Sequence, residues 1–543
     1  MGIAGKRAFG LALRERAAVL SRTEAGRAAQ AQRTPPYVWG IALLAIALRI
    51  GIAWATHFTS EDYLITLRYA ENLAHRRGLV FNPGERVLGT TTPLYTLFLA
   101  LTIKLGLPAT LCGKGVNILA DGLLCTLMYR WLSVVGQRTA GVVAAFWVAI
   151  NPLHIQWAIS GMETSLVTAC GLWVWLAYAE RRTLTAYLAG ALLFLLRWDS
   201  LLLTGVLTAA LLWRERRLPL RALTAYGLLI APWLIFAAWY YGNPIPVTAA
   251  AKATVYGWRA DHEPAWLLRY LPRLPEVLHR FLGINEPAFR AFLLAPHLAD
   301  LPRVLFGAPG YALITLFAAL GLARVVREHW TMFWPPLAWF MLYWIAFLLS
   351  RVLLFPWYLV PPLPVYGALV ALGLTAVARR IGERWPRSLQ TTAAASALGL
   401  SAIAGAASTL QLAHSAQWPE DRVRIPLGLW LKAHSRPTDR ILLEPIGYIG
   451  YYSERPVLDI VGLVTPQVLP FYRPENPAPV LNIAEAFRPE WCCVRASWSG
   501  CGARHWHPGV PGKRATRLSR PSPARPRAIS TISTGGGKRK SLT

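Results

Sequence analysis

The chain alternates long apolar runs with short basic loops, and two longer polar intervals interrupt the series. The runs fall near 37–57, 113–133, 141–159, 163–180, 184–198, 200–213, 219–241, 307–326, 331–349, 354–378 and 388–410. A helix needs about 20 apolar residues to cross a ~30 Å hydrocarbon core, and most of these runs approach that length. The pattern predicts an all-α polytopic membrane protein with about 11 transmembrane helices. Arg and Lys gather at the N-terminus, at Arg130 to Arg138, Arg181-Arg182, Arg214 to Arg217, Arg324 to Arg327 and Arg379 to Arg387. The positive-inside rule puts all of these in the cytoplasm only if the apolar stretch Pro93 to Leu107 does not cross. At ~1.5 Å per residue that stretch reaches about 22 Å, too short for the core, and reads as a juxtamembrane helix.

This topology divides the chain. Residues 1–36 form a basic cytoplasmic tail, too charged for a cleaved signal peptide. Residues 37–410 form the membrane domain, with outer loops at 58–112 and 242–306. The second loop carries amphipathic pieces such as Trp266 to Phe281, suited to a membrane surface. An odd number of crossings leaves 411–491 outside as a small α/β extracytoplasmic segment, with a helix over 425–434 and strands near 440–444 and 456–460. The tail 492–543 holds no Asp or Glu and is rich in Arg, Pro, Ser and Gly. It reads as disordered, either a genuine basic tail or the product of a disturbed reading frame near Trp491.

Composition agrees with a membrane protein: of 543 residues, 55% are hydrophobic and 15% charged. The net charge of +29 sits in orienting loops and tails, where it meets anionic lipid, so no nucleic-acid partner is expected. The six cysteines show no metal spacing, and no metal site is assigned.

The most informative polar interval runs from Ser60 to Pro93. Ser60 is placed to N-cap a helix whose first turn carries Glu61 and Asp62, where the positive helix end favours carboxylates. Asp62, Ile65, Tyr69 and Asn72 share one face. Gly78 follows Arg76-Arg77 as a helix stop, Asn82-Pro83-Gly84 reads as a tight turn, and Thr92-Pro93 opens a second helix.

The motifs in this interval, Glu61-Asp62, Arg68-Tyr69-Ala70-Glu71-Asn72-Leu73-Ala74 and Gly78 through Gly89 with Thr91, resemble the first outer loop of GT-C glycosyltransferases. The branch is the one that contains the mycobacterial terminal arabinofuranosyltransferases. The resemblance implies a hexosyl- or pentosyltransferase that takes its sugar from a polyprenyl phosphate. The acceptor would be an envelope glycan or lipid at the outer face of a bacterial inner membrane. It implies no cofactor beyond the lipid-linked donor and leaves a divalent metal undecided. Asp62 is then the general base, with Glu61 as the second candidate and Tyr69 a substrate contact. The alternative is that both acids merely complement the helix dipole, an effect worth ~0.3–1 kcal/mol.

Further candidates sit at the outer ends of spans, where unpaired charge is costly and has a functional or pairing reason. Glu163 lies in SGMETSL, similar to the branch's G-M-E-T; acceptor binding and simple placement at a helix N-terminus are both open. Arg197-Trp198-Asp199 falls where relatives carry Arg-Pro-Asp or Arg-Pro-Glu; substrate contact and an internal ion pair are both open. Lys252 closes YYGNPIPVTAAAK, similar to a loop pattern of the branch, and is assigned to the donor phosphate, with headgroup snorkelling as its rival. Arg351 precedes FPWYLVPPLP, which contains Tyr358 and resembles an Arg-Tyr-x-x-P motif with Trp357 where Arg is expected; Arg351 is the substitute candidate, and interface anchoring is the alternative reading of Trp357 and Tyr358. Two other functions compete: a lipid or polysaccharide transporter, and a glycan polymerase or ligase. A transporter favours midplane sites and internal repeats, and no repeat is visible. A diphosphate-linked donor, as a polymerase would use, calls for more cations than these positions supply.

Overall fold

The structure, a computed structural model, describes residues 34–262, 308–350, 355–382, 406, 409–410, 413–494 and 527–530. Arg351, most of the second outer loop and nearly all of the predicted span at 388–410 lie outside the described residues.

The membrane part begins with α1 (Pro36–Thr56), followed by the loop helices α2 (Glu61–Ala74) and α3 (Pro93–Lys104). Next come α4 (Ala109–Val134), α5 (Arg138–Ile150), α6 (Pro152–Ala158), α7 (Thr164–Ala179), α8 (Thr183–Leu196), α9 (Leu201–Glu215) and α10 (Leu220–Tyr241). The series continues with α11 (Val247–His262), α12 (Ala308–Arg324), α13 (Trp330–Ser350) and α14 (Leu363–Gly382). Among the described residues α1, α4, α10 and α14 are each long and apolar enough to cross a membrane, and the pair α5–α6, bent by 55°, makes a fifth candidate. The predicted spans near 163–180 and 184–198 are α7 and α8, of 16 and 14 residues. At ~1.5 Å per residue they are only about 21–24 Å long. Lipid-facing side chains are plain on α1 and α10, where Trp54 and Trp239 are 78% and 76% exposed.

The α5–α6 bend has a local cause. Pro152 has no N–H to continue the helix, and Asn151 Oδ1 instead accepts from Leu153 N at 3.0 Å, starting a new helix. Carbonyls freed at the end of α5 are taken by Arg49 from α1, which donates to Val148 O at 3.0 Å and Ala149 O at 2.7 Å. Arg49 also pairs with Asp121 of α4, whose other oxygen lies 3.3 Å from His154 Nδ1. All three side chains are fully buried. The sequence reading did not single out this triad.

The C-terminal segment contains α15 (Ile425–His434), α16 (Tyr448–Ser453) and α17 (Pro479–Phe487), with strands β1 (Ile441–Leu443), β2 (Val457–Asp459), β3 (Trp491–Val494) and β4 (Arg527–Ser530). The sheet order is β2-β1-β3-β4, parallel throughout. This corrects the tail boundary: residues 492–494, assigned to disorder on sequence, form β3, and 527–530 pair beside it. A parallel strand buried on both faces reads as a short apolar run without polar alternation, and WCCV is such a run.

Alternate strand residues enter two different cores. Ile441, Leu443, Trp491 and Cys493 pack with Tyr69, Leu79 and Phe81 of the first outer loop. Leu442, Leu458 and partly buried Cys492 face the other way, with Val480 and Ile483 of α17 and Val255 of α11. The sheet therefore sits between the loop that carries Asp62 and the helix that carries Lys252.

Candidate active site

The R-Y-A-x-N helix is held by its own polar side chains. Arg68 donates to Phe81 O at 3.0 Å, to Arg455 O at 2.7 Å and to Gly450 O. Asn72 Nδ2 donates to Val80 O and Phe81 O at 2.9 and 3.0 Å. Asn82 exchanges two bonds with the backbone of Val457, 2.8 and 2.9 Å long. Tyr69 is fully buried; its hydroxyl donates to Val87 O at 2.8 Å and accepts from Gly89 N at 3.0 Å. Tyr69, assigned on sequence to substrate contact, is a buried buttress of the loop and is not among the residues that line the cavity described below. It shares Asp62's side of α2 but lies two turns deeper, under the sheet.

Glu61, the second candidate base, is bonded to the C-terminal segment. Its carboxylate accepts from the backbone N–H groups of Gly447 and of Tyr448 (3.2 Å) and pairs with Arg424 at 3.2 Å. These contacts bolt α2 to the C-terminal segment and turn Glu61 away from its neighbour's cavity. Burial pushes the Glu61 carboxyl up to about 8, against the opposing pull of Arg424. Ser60 adopts extended N-cap backbone without a side-chain cap bond; its N–H donates to Ser160 O at 2.8 Å instead. That bond draws the start of α2 against the turn that carries Glu163.

Asp62 opens into a cavity of about 870 Å³, within the usual range for small-molecule sites. Six of the sequence candidates line it: Asp62, Glu163, Arg197, Asp199, Lys252 and Tyr358. Asp62 Oδ2 lies 4.0 Å from Lys252 Nζ, and their side chains are 31% and 13% exposed. Lys252 also donates to Tyr358 Oη at 3.3 Å and lies 5.1 Å from the Phe355 ring centroid. Burial holds the Asp62 carboxyl above the ordinary aspartate range, while the Lys252 ammonium draws it back down. The Tyr358 hydroxyl and the Asp62 carboxylate outweigh desolvation at Lys252 and raise its affinity for a proton.

Arg197 forks onto both oxygens of Asp199, with Nε to Oδ1 at 3.1 Å, and its guanidinium lies 5.2 Å from the Tyr358 ring centroid. Of the two readings left open on sequence, the internal pair is the one formed, although both residues still line the cavity. Glu163 follows a tight turn in which Gly161 has φ +87, and a Cβ there would lie 2.8 Å from the Tyr63 ring. Only glycine fits that approach. Asn117 Oδ1 accepts from Leu166 N at 3.3 Å and steadies the start of α7.

Sequence reasoning missed several lining residues. Thr90, Thr91 and Thr248 border the polar end, and Leu201, Leu202, Val206 and Leu342 form an apolar flank between α9 and α13. Thr90 and Thr91 were visible in GTTTP and Thr248 in PVTAAAK, but none carries a charge to mark it. The flank looks like any lipid-facing helix surface in sequence. Trp357 also lines the cavity, where the resemblance led one to expect Arg. Among the described residues no three His, Cys, Asp or Glu side chains form a group able to hold a metal ion.

Comparison with known proteins adds three findings. A family described as a domain of unknown function (DUF8728) matches residues 412–529, the C-terminal segment. That match continues past Trp491 into the stretch assigned on sequence to a separate tail. Two terminal beta-(1->2)-arabinofuranosyltransferases are similar to the chain. The one from Mycobacterium tuberculosis is 28% identical over 360 residues, 58% of this chain and 53% of the relative. The one from Corynebacterium glutamicum is 29% identical over 285 residues, 42% of this chain and 39% of the relative. The chain thus matches about half the length of these curated relatives, or less. Among solved structures, ArnT from Cupriavidus metallidurans bound to undecaprenyl phosphate superposes with a TM-score of 0.50 at 14% identity, covering 79% of this chain and 88% of that one. The chain shares the fold of that structure, a helical polytopic membrane protein.

Proposed function

We propose that the protein transfers a sugar from a polyprenyl-phosphate donor to an envelope glycan or lipid acceptor at the outer face of a bacterial inner membrane. The observation that carries this reading is Asp62 beside Lys252, 4.0 Å apart, at the polar end of a cavity with an apolar flank. The arabinofuranosyltransferase relatives and the undecaprenyl phosphate in the ArnT structure agree with it in class.

The chemistry follows from these positions. An acceptor hydroxyl attacks the anomeric carbon while Asp62 takes its proton, and the bond from that carbon to the phosphate oxygen breaks. Phosphate is a good leaving group at neutral pH and needs no general acid. The Lys252 ammonium, held by Tyr358, meets the charge released on the polyprenyl phosphate. Leu201, Leu202, Val206 and Leu342 offer an apolar bed for the isoprenoid. Among the described residues the lining cations are Lys252 and Arg197, and Arg197 is committed to Asp199. Among the described residues one lining ammonium is not forked onto a carboxylate, which suits a monophosphate donor better than the diphosphate of a polymerase or ligase. A transporter is disfavoured because the buried charges deep in the membrane part, Arg49, Asp121 and His154, are paired with one another, while the cavity's charged groups gather at the outer ends of their helices.

The orientation proposed is cytoplasmic N-terminus and extracytoplasmic C-terminal segment, from the basic loops. A reporter fused after Leu410 should be active outside the cytoplasm and one at Arg181-Arg182 inside it; swapped activities contradict the map. The function itself is tested by mass spectrometry of envelope glycans and lipid-linked sugars from a deletion strain. A missing glycan residue with accumulated polyprenyl-phosphate sugar is expected. Unchanged glycans and lipid-linked sugars overturn the reading.

A further inference from the structure

Of the charged side chains that line the cavity among the described residues, Glu163 is the one left without a partner. Asp62 faces Lys252, and Arg197 forks onto Asp199. No other residue donates a hydrogen bond to the Glu163 carboxylate, and Arg197 acts on it only from beyond ion-pair distance. Glu163 is 5% exposed, so water does not solvate its charge freely. A carboxylate held this way at a membrane edge is costly to the fold and has a functional or pairing reason.

The turn that presents Glu163 is clamped from three sides. Ser60 N, at the start of α2, donates to Ser160 O at 2.8 Å. The Tyr95 hydroxyl of α3 donates to Gly161 O and accepts from Asn117 Nδ2 of α4 at 3.2 Å. Within the turn, Ser160 Oγ accepts from Met162 N at 3.1 Å. Asp62 follows Ser60 by two residues, so the clamp that fixes Glu163 also ties it to Asp62. The two carboxylates line one cavity and repel each other.

An ionised carboxylate only accepts hydrogen bonds. Of the groups that the proposed reaction brings to the cavity, the phosphate is an anion and itself an acceptor, and the isoprenoid has no donor to offer. Sugar hydroxyls remain. We infer that Glu163 accepts a hydrogen bond from a sugar hydroxyl, on the donor or on the acceptor, and so fixes the ring beside Asp62. The inference rests on the transfer reaction proposed above and adds to it a second carboxylate that reads the sugar, while Lys252 meets the phosphate. A sugar lacking that hydroxyl leaves Glu163 unpaired and is rejected.

The test uses the full-length protein in nanodiscs with three probes. They are undecaprenyl phosphate, which has no sugar, the polyprenyl-phosphate sugar that accumulates in the deletion strain, and the envelope acceptor extracted from that strain. Glu163→Gln keeps the size of the side chain and removes its charge. Its kcat/KM for transfer is expected to fall about ten- to hundredfold, the range for losing a hydrogen bond to a charged group. Melting should stay at or above wild type, because an unpartnered buried charge has been removed. Affinity for undecaprenyl phosphate should be no weaker than wild type. A donor hydroxyl shows as lost affinity for the lipid-linked sugar, and an acceptor hydroxyl as a raised KM for the acceptor with that affinity kept. Lys252→Ala should instead weaken both lipids alike. Wild-type transfer by Glu163→Gln, a melting loss in step with transfer, or weakened binding of undecaprenyl phosphate overturns the inference while leaving the transferase reading intact. A deletion strain with unchanged glycans and lipid-linked sugars overturns both.

Discussion

Two clusters of buried charge stand in the membrane part, and they are built in opposite ways. In the Arg49–Asp121–His154 triad all three side chains are fully buried, and the guanidinium also satisfies carbonyls where α5 breaks. In the cavity cluster, Asp62 and Lys252 stay partly exposed, 4.0 Å apart, with room for a substrate between the surrounding walls. Both clusters meet the cost of charge in an apolar setting, the first by internal pairing and the second by incomplete pairing. Incomplete pairing is what a site needs, because a carboxylate that must take a proton cannot be saturated by its neighbours. The contrast teaches where to expect a folding defect and where a catalytic one.

The largest effect should come from the closed cluster. Asp121→Asn leaves the Arg49 charge buried with its partner neutralised, a loss of about 3–5 kcal/mol, enough to remove most protein from the membrane. Expression level and melting in detergent measure it. A stable but inactive Asp121→Asn would break the comparison by making the triad functional.

At the open cluster, Lys252→Ala should lower donor use about tenfold or more with melting unchanged, since an interaction with developing phosphate charge is lost. Lys252→Arg should recover part of it, because charge matters more than shape for a single ammonium. The pH profile sharpens this. Asp62 works as a base only when ionised, so activity rises with pH through its pKa, which burial holds above the ordinary aspartate range and Lys252 draws down. The acid limb should therefore lie above that range in wild type and move further up in Lys252→Ala. An unmoved limb would separate Lys252 from the base.

The smallest effect concerns Glu61, next in sequence to Asp62 yet part of the closed kind of contact. Glu61→Gln weakens the bolt to Arg424 and to the Gly447 and Tyr448 amides by roughly 1–2 kcal/mol. Faster proteolysis of the C-terminal segment is expected, with turnover reduced less than tenfold. A dead enzyme with an intact protease pattern would move the base to Glu61.

The helix map was readable because membrane spans announce themselves through length and apolarity, and Asp62, Lys252 and Glu163 were found through motifs that also proved to share a cavity. What escaped depends on partners far away in the chain. Glu61 looks equivalent to Asp62 until Gly447, 386 residues on, is seen to donate to it. Tyr69 shares a helical face with Asp62, but periodicity does not show that the C-terminal sheet covers that face two turns along. Arg49 and Asp121 were legible as charges inside apolar runs, and the rule that such charges are paired or functional would have found them. β3 was hidden because its four residues are followed by a basic, Pro-rich stretch, whose composition outweighed a short apolar strand.

The central claim is that Asp62 is the general base and that its charge, unlike that of Asp121, is not needed for folding. The most direct measurement is turnover of purified Asp62→Asn with a polyprenyl-phosphate donor, taken together with its melting curve in the same detergent. Asparagine keeps the size and the helix-start compatibility but cannot take the proton. The account predicts a fall of about 10²–10⁴ in turnover with melting unchanged. Wild-type turnover, or a loss matched by unfolding, would contradict it.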